Sequence, residues 1–287
     1  MLTYQQALIE TTSRLRESGS TTPELDALLL LCHATGQDRI GVYATPTKQL
    51  TSEQYAKFDG FVGRREKAEP MAYILGEKGF WAFDLKVRKG VLIPRPDTET
   101  LIEAILEKYK DRTQPLTILE LGVGTGAIIL SLLHELPKAT GLGVDISPEA
   151  LACAEENAEA NHIEKRLTLR ASRWFDNVSE EGFDIIVSNP PYIKTADIPN
   201  LMRDVAQHEP SLALDGGADG LDAYRLIIKE APAKLKAGGL LAFEIGYDQA
   251  DAVQILLKQS NHFEAAQVVQ DLAEHDRVVL AHRLKDK

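Results

Sequence analysis

Several features that would narrow the class of this 287-residue chain at once are scarce or missing. There are two cysteines, Cys32 and Cys153, far apart and outside any metal-ligand spacing. Neither a disulfide framework nor a metal site is expected from them, and both read as reduced core thiols. No apolar run approaches the length of a bilayer span, and the opening MLTYQQALIE carries amides and an acid in its first turns. Membrane insertion and a targeting segment are therefore not expected, and the protein reads as soluble and cytoplasmic. Basic residues are in deficit, 32 Lys and Arg against 43 Asp and Glu, for a formal net charge of −11. Such a surface repels a polyanion unless a local basic patch overrides it, which disfavours a DNA-bound protein without excluding one. Low-complexity tracts and long single-sign charge runs are missing too. With 44% hydrophobic and 26% charged residues the balance is that of a packed globular chain, long enough for two domains.

The first 70 residues pattern as helices only. Thr3 with Gln6 forms a capping box, Ala7, Leu8 and Leu15 share a face, and Gly19 ends the helix. Thr22-Pro23 caps a second, largely buried helix through Leu28–Leu31 to Gly36, and Thr51 to Gln54 opens a third that ends near Pro70. Residues 1–70 are thus expected to be a small helical bundle. Between 71 and 93, short strand-like runs at 80–85 and 91–93 predict a β-hairpin linker, and Asp97 is the expected cap of the next helix.

From residue 94 to 287 strand-like runs at 116–121, 140–145, 166–170, 184–188 and 239–245 alternate with helical patterns. That alternation predicts a doubly wound α/β domain on a parallel sheet. Runs at 263–270 and 276–283 lie too close together for a crossover helix and must pair antiparallel, giving seven strands with the last reversed.

Two motifs carry chemistry. Ile118–Leu121 runs into Gly122-Val123-Gly124-Thr125-Gly126 and then an apolar helix, and about twenty residues later another strand ends on Asp145. Glycines let the backbone turn sharply and a ligand approach a helix N-terminus, while the carboxylate can accept from a ribose diol. This is the pattern of an adenosine-containing cofactor site, and by itself it also fits NAD or FAD. Glu120 shifts the balance, because a carboxylate there suits a zwitterionic methionine moiety better than an anionic pyrophosphate. The second motif shifts it further. Asn189-Pro190-Pro191-Tyr192 follows the buried run Phe183–Ser188 at the carboxyl end of the sheet. Two prolines fix the backbone and remove N–H donors, leaving the Asn189 side-chain oxygen and the Pro190 carbonyl as acceptors for the two hydrogens of a planar NH₂ group. Tyr192 can stack on that group. A methyl donor beside an amide or aromatic amine makes an S-adenosylmethionine-dependent N-methyltransferase, releasing S-adenosylhomocysteine.

With these residues in hand the chain resembles the HemK/PrmC family of protein-(glutamine) methyltransferases across nearly its whole length. Asn-Pro-Pro-Tyr is shared with DNA amino-methyltransferases, which remain the alternative. The segments Leu92-Ile93-Pro94-Arg95-Pro96-Asp97-Thr98-Glu99, Glu209–Leu214, Gly216–Leu221 and Glu244-Ile245-Gly246 are similar to this family alone. The resemblance implies that Gly122, Val123, Gly124, Thr125, Gly126 and Asp145 bind S-adenosylmethionine, with Asn189 also reaching it. It further implies that Trp174 packs on the adenine and that Asn189, Pro190, Pro191 and Tyr192 hold the substrate. The implied substrate is the glutamine of the Gly-Gly-Gln motif in bacterial class-I peptide-chain release factors, met by a monomer whose residues 1–70 recognise the protein. Family members commonly carry an aspartate before the tryptophan; here Arg173 stands there, so no carboxylate contact to the adenine amino group comes from that position. Pro94-Arg95-Pro96 is expected as a rigid linker, and His208 and Asp222 as exposed or structural residues.

Overall fold

The computed structural model describes residues 2–285. The chain forms two compact units, Met1–Glu77 with Met202–His208, and Lys78–Leu201 with Glu209–Lys287.

In the first unit, α1 (Tyr4–Glu17), α2 (Pro23–Thr35), α3 (Arg39–Ala44), α4 (Ser52–Glu66) and α5 (Met71–Leu75) enclose a core that includes Leu15, Leu30, Leu31, Phe58 and Val62. Capping boxes at Thr3/Gln6 and Thr51/Gln54 start α1 and α4, and α2 ends on Gly36 at φ 68°. Thr22 does not cap α2, because its hydroxyl donates instead to the buried Asp26, which also accepts from Arg65 at 2.7 Å. The helices α3 and α5 are too short to show a period in the sequence. Cys32 is only half-buried, whereas Cys153 in the second unit is buried.

A hairpin of β1 (Glu77–Phe80) and β2 (Phe83–Lys86), which begins at the last residue of the first stretch and continues in the second unit, turns at Trp81, φ 52°. Residues 91–93 pair with no strand, contrary to expectation; they belong to a loop that runs on to Pro96–Thr98, a 3₁₀ turn leading into α6 (Glu99–Lys108). Asp97 is not a cap, since it lies inside that turn and faces Arg277 at 3.6 Å.

Next come β3 (Thr117–Leu121), α7 (Ala127–Glu135), β4 (Thr140–Asp145), α8 (Pro148–Ala160), β5 (Leu167–Ala171) and β6 (Phe183–Ser188). The short α9 (Arg203–His208) belongs to the first unit, where a His208 ring nitrogen lies 3.0 Å from the Lys67 carbonyl. The second unit resumes with α10 (Asp222–Lys234), β7 (Leu235–Glu244), α11 (Ala250–Ser260), β8 (Gln267–Gln270) and β9 (Asp276–His282).

The seven-stranded sheet has the order β5-β4-β3-β6-β7-β9-β8, parallel throughout except for β9, which pairs antiparallel with both neighbours. Side chains alternate along each central strand between two cores. Ile118, Ile185, Leu240 and Val278 go to one and Leu119, Ile186, Leu241 and Val279 to the other, so both faces of the sheet are covered. Register aligns the carboxyl ends: Leu121 sits beside Val144 and Ser188, and Ser188 beside Phe243. Among the described residues no helix is long and apolar enough to cross a membrane.

Candidate active site

At those carboxyl ends lies a cavity of about 740 Å³, of the size that takes a nucleoside-bearing ligand. Gly122, Val123, Gly124, Thr125, Asp145, Trp174, Asn189 and Pro191 are all on its wall, from three strand ends and the turn after β5. Gly126, Pro190 and Tyr192 are not.

The loop after β3 is tied down by its own backbone, with the N–H groups of Gly122 and Val123 both donating to the Val144 carbonyl at 2.9 Å. Gly124 adopts φ 54°, and a side chain there would meet nothing within 4 Å, so its open side is the cavity. Gly126 is required for another reason. At φ 83° it begins α7, and a Cβ would stand 3.1 Å from Leu130 and 3.4 Å from Ala154.

Asp145 accepts from the Gly124 N–H through Oδ2 and from the Ser147 N–H through Oδ1, each at 2.9 Å. Its carboxylate is thereby oriented, with further lone pairs left for a diol. Glu120 is almost wholly buried on the same wall and accepts from the Ile129 N–H at 2.9 Å. Burial and the nearby charge of Asp145 push its carboxyl well above the usual range, with the Ile129 bond opposing. A buried carboxyl of this kind fits a cationic ammonium or sulfonium. Trp174 holds a left-handed φ of 50°, stabilised by the Ser172 hydroxyl, which donates to the Trp174 carbonyl and accepts from the Asn177 N–H. Arg173 is exposed at the cavity rim.

At the end of β6, Ser188 donates to the Leu121 carbonyl at 2.7 Å, joining the two strand ends. The Asn189 amide NH₂ donates to the Thr98 hydroxyl at 3.4 Å, which leaves its Oδ1 as an acceptor. Tyr192 is half-buried against the second core, and its hydroxyl reaches Glu244 Oε1 at 3.4 Å. That placement engages the ring in packing rather than in stacking on a ligand.

Comparison with known proteins finds relatives along nearly the whole chain. The PrmC N-terminal domain model matches residues 6–76 and the methyltransferase small domain model residues 96–218. A release factor glutamine methyltransferase of Caulobacter vibrioides is 44% identical over 279 residues, covering 97% of this chain and 96% of that one. One from Moorella thermoacetica is 42% identical over 285 residues, covering 99% and 100%. The chain belongs to the release factor glutamine methyltransferase family. A solved methyltransferase from Pyrococcus furiosus, 16% identical, has the same fold with a TM-score of 0.54 over 72% of this chain and 92% of its own.

The segment Gly216–Leu221 supports the Asn189–Tyr192 turn. Gly216 and Gly220 lie directly on it: a Cβ on Gly216 would stand 2.8 Å from the Pro191 carbonyl oxygen, and one on Gly220 would stand 2.4 Å from that of Tyr192. Gln249, buried and unremarked in the sequence, donates to the carbonyls of Tyr192 at 2.9 Å and Gly220 at 3.2 Å and accepts from the Gly246 N–H. Arg95 is more than part of a linker. It lines the cavity and pairs with the buried Glu209, which also accepts from the Ile93 N–H at 3.3 Å, so segments 92–98 and 209–214 are joined over the cavity. Asp222 also reaches the wall, while pairing with Arg225 at 3.0 Å. Spacing could not reveal Thr98, Glu244 or Gln249 as parts of the site. The one local signal was a carboxylate closing the apolar run Leu240–Phe243.

Proposed function

We propose that this chain transfers a methyl group from S-adenosylmethionine to the side-chain amide nitrogen of the glutamine in the Gly-Gly-Gln motif of bacterial class-I peptide-chain release factors. The carrying observation is that Asn189, its NH₂ turned toward Thr98, opens onto the same cavity as Asp145 and Gly122–Thr125. Bound there, S-adenosylmethionine supplies an electrophilic methyl group. Asp145 takes the ribose hydroxyls, Glu120 and the Gly122–Gly126 turn face the methionine end, and Trp174 packs on the adenine. The Asn189 Oδ1 on the cavity wall accepts one amide hydrogen. The carbonyl of the adjoining Pro190, which is itself off that wall, takes the other as the substrate enters the turn, with Pro191 and Tyr192 fixing that turn. An amide nitrogen is a poor nucleophile because its lone pair is delocalised, so the residues act by orientation and by accepting charge as the nitrogen rehybridises. The proton leaves after transfer.

In this reading residues 1–70 recognise the release factor, and the enzyme works as a cytoplasmic monomer. Mass spectrometry of a release factor incubated with enzyme and S-adenosylmethionine tests the reading. One added methyl group on the Gly-Gly-Gln glutamine is expected, and none when that residue is glutamate. Asn189→Ala should lower transfer steeply while release-factor docking survives. Label appearing on duplex DNA and none on the glutamine would overturn the assignment in favour of nucleic-acid amino-methylation.

A further inference from the structure

Asn189 can serve an NH₂ donor only in one of its two amide orientations, since the other presents its own NH₂ to the substrate and repels it. Behind it stands a chain of groups that leads away from the cavity. The Asn189 NH₂ donates to the Thr98 hydroxyl at 3.4 Å. Thr98 is buried, and its hydroxyl favours the charged form of the Glu244 carboxyl beside it. Glu244 closes β7, is 1% exposed, and receives the Tyr192 hydroxyl on Oε1 at 3.4 Å. Its Oε2 is buried with no hydrogen-bond partner among the described residues. Glu244 is not on the cavity wall, so it touches neither reactant.

We propose that the Glu244 carboxylate is a positioning residue that sets the direction of this chain. An ionised carboxylate can only accept, so it draws the hydroxyl hydrogens of Thr98 and Tyr192 toward itself. Thr98 then has only lone pairs to offer Asn189, whose NH₂ must turn to it and whose Oδ1 must face the acceptor amide. A protonated or amidated side chain at 244 can donate to Thr98, reverse the chain and leave Asn189 free to flip. The inference rests on the proposed amide methylation.

Burial raises the Glu244 carboxyl to about 7, opposed by Thr98, Arg277 and the Tyr192 hydroxyl and assisted by the charge of Asp97. The other groups facing it are the Tyr224 hydroxyl, which donates to the Glu244 backbone carbonyl at 2.9 Å, and Asp271, which pairs with Arg277 at 3.2 Å. Arg95 acts on Tyr192 from farther away. The competent, ionised form is therefore lost as pH falls through neutrality.

The test measures kcat for methyl transfer to a release factor between about pH 6 and about pH 9, with S-adenosylhomocysteine affinity and thermal melting as controls. Wild type should lose rate on the acid side. Glu244→Gln should lower kcat about tenfold or more, lack that acid limb and bind S-adenosylhomocysteine as wild type does. Thr98→Val, which removes the relay with little change of shape, should also lose rate, and Thr98→Ser should recover most of it. A Glu244→Gln enzyme with the wild-type kcat and the same limb, or a Thr98→Val enzyme as fast as Thr98→Ser, overturns the inference. A wild-type enzyme that leaves the glutamine unmethylated sinks the underlying function instead.

Discussion

Glu120 carries its carboxyl where water cannot reach it, beside the charge of Asp145, and so holds its proton above the usual range. A cationic ligand against it reverses that preference. Binding of S-adenosylmethionine should release a proton, and affinity should rise with pH until Glu120 is ionised in the free enzyme. Titration calorimetry in buffers of different ionisation enthalpy reads this directly, and Glu120→Gln should abolish the release and weaken binding. Asp145→Ala should weaken the same complex by roughly 1.5–3 kcal/mol, because the ribose hydroxyls lose a charged acceptor and Gly124 loses its tether. An unchanged dissociation constant would mean the cofactor lies elsewhere. Glu244 makes a stability prediction of its own. Its carboxyl is raised from 4.5 to about 7 in the fold. The stability this contributes is complete at acid pH, below the unfolded value, and is lost as pH rises through the folded one. Glu244→Gln should therefore melt above wild type at about pH 8.5, with the gap closing toward about pH 5.

Elements in this protein are held at the site by backbone contacts as much as by side chains. The turn Asn189–Tyr192 rests on Gly216 and Gly220, and Gly220 has φ 78° with the Tyr192 carbonyl where a Cβ would go. Gly220→Ala should destabilise by roughly 1–3 kcal/mol and lower methyl transfer, while S-adenosylhomocysteine binding persists, because neither carbonyl nor turn can yield. Gly60 offers the contrast. It lies inside α4 on an exposed face with nothing within 4 Å of its open side, so Gly60→Ala should raise stability by about 0.5–1 kcal/mol. Thermal melting of the pair separates a glycine kept for conformation and close contact from one that is not. The motif Gly122–Gly126 was legible because all its constraints are local. Thr98 was not, since it meets Asn189 from 91 residues away.

At the scale of the whole molecule the chain is two compact units. The first unit holds an ion-paired helical core and exposes Ile40 and Tyr43 on α3, at 78% and 65% of their surface. Apolar side chains left in water at that level suit a protein partner. If residues 1–70 recognise the release factor, Ile40→Asp with Tyr43→Ala should raise KM for the whole release factor several-fold and leave cofactor affinity unchanged. Equal KM values would remove recognition from this face.

What the sequence determined by itself is what local chemistry constrains. Capping boxes start α1 and α4, alternating strands and helices dictate a sheet covered on both faces, glycines mark the loop after β3, and Asn189–Tyr192 marks the turn after β6. Only the tertiary structure decided that β9 enters between β7 and β8 instead of adding to the edge, because either arrangement satisfies the same hairpin and the same apolar pattern. It likewise decided that Arg95 meets Glu209 and that Thr98 and Glu244 stand behind Asn189. Those pairings depend on where distant segments are carried by the folded sheet and its loops, and no spacing along the chain encodes that distance.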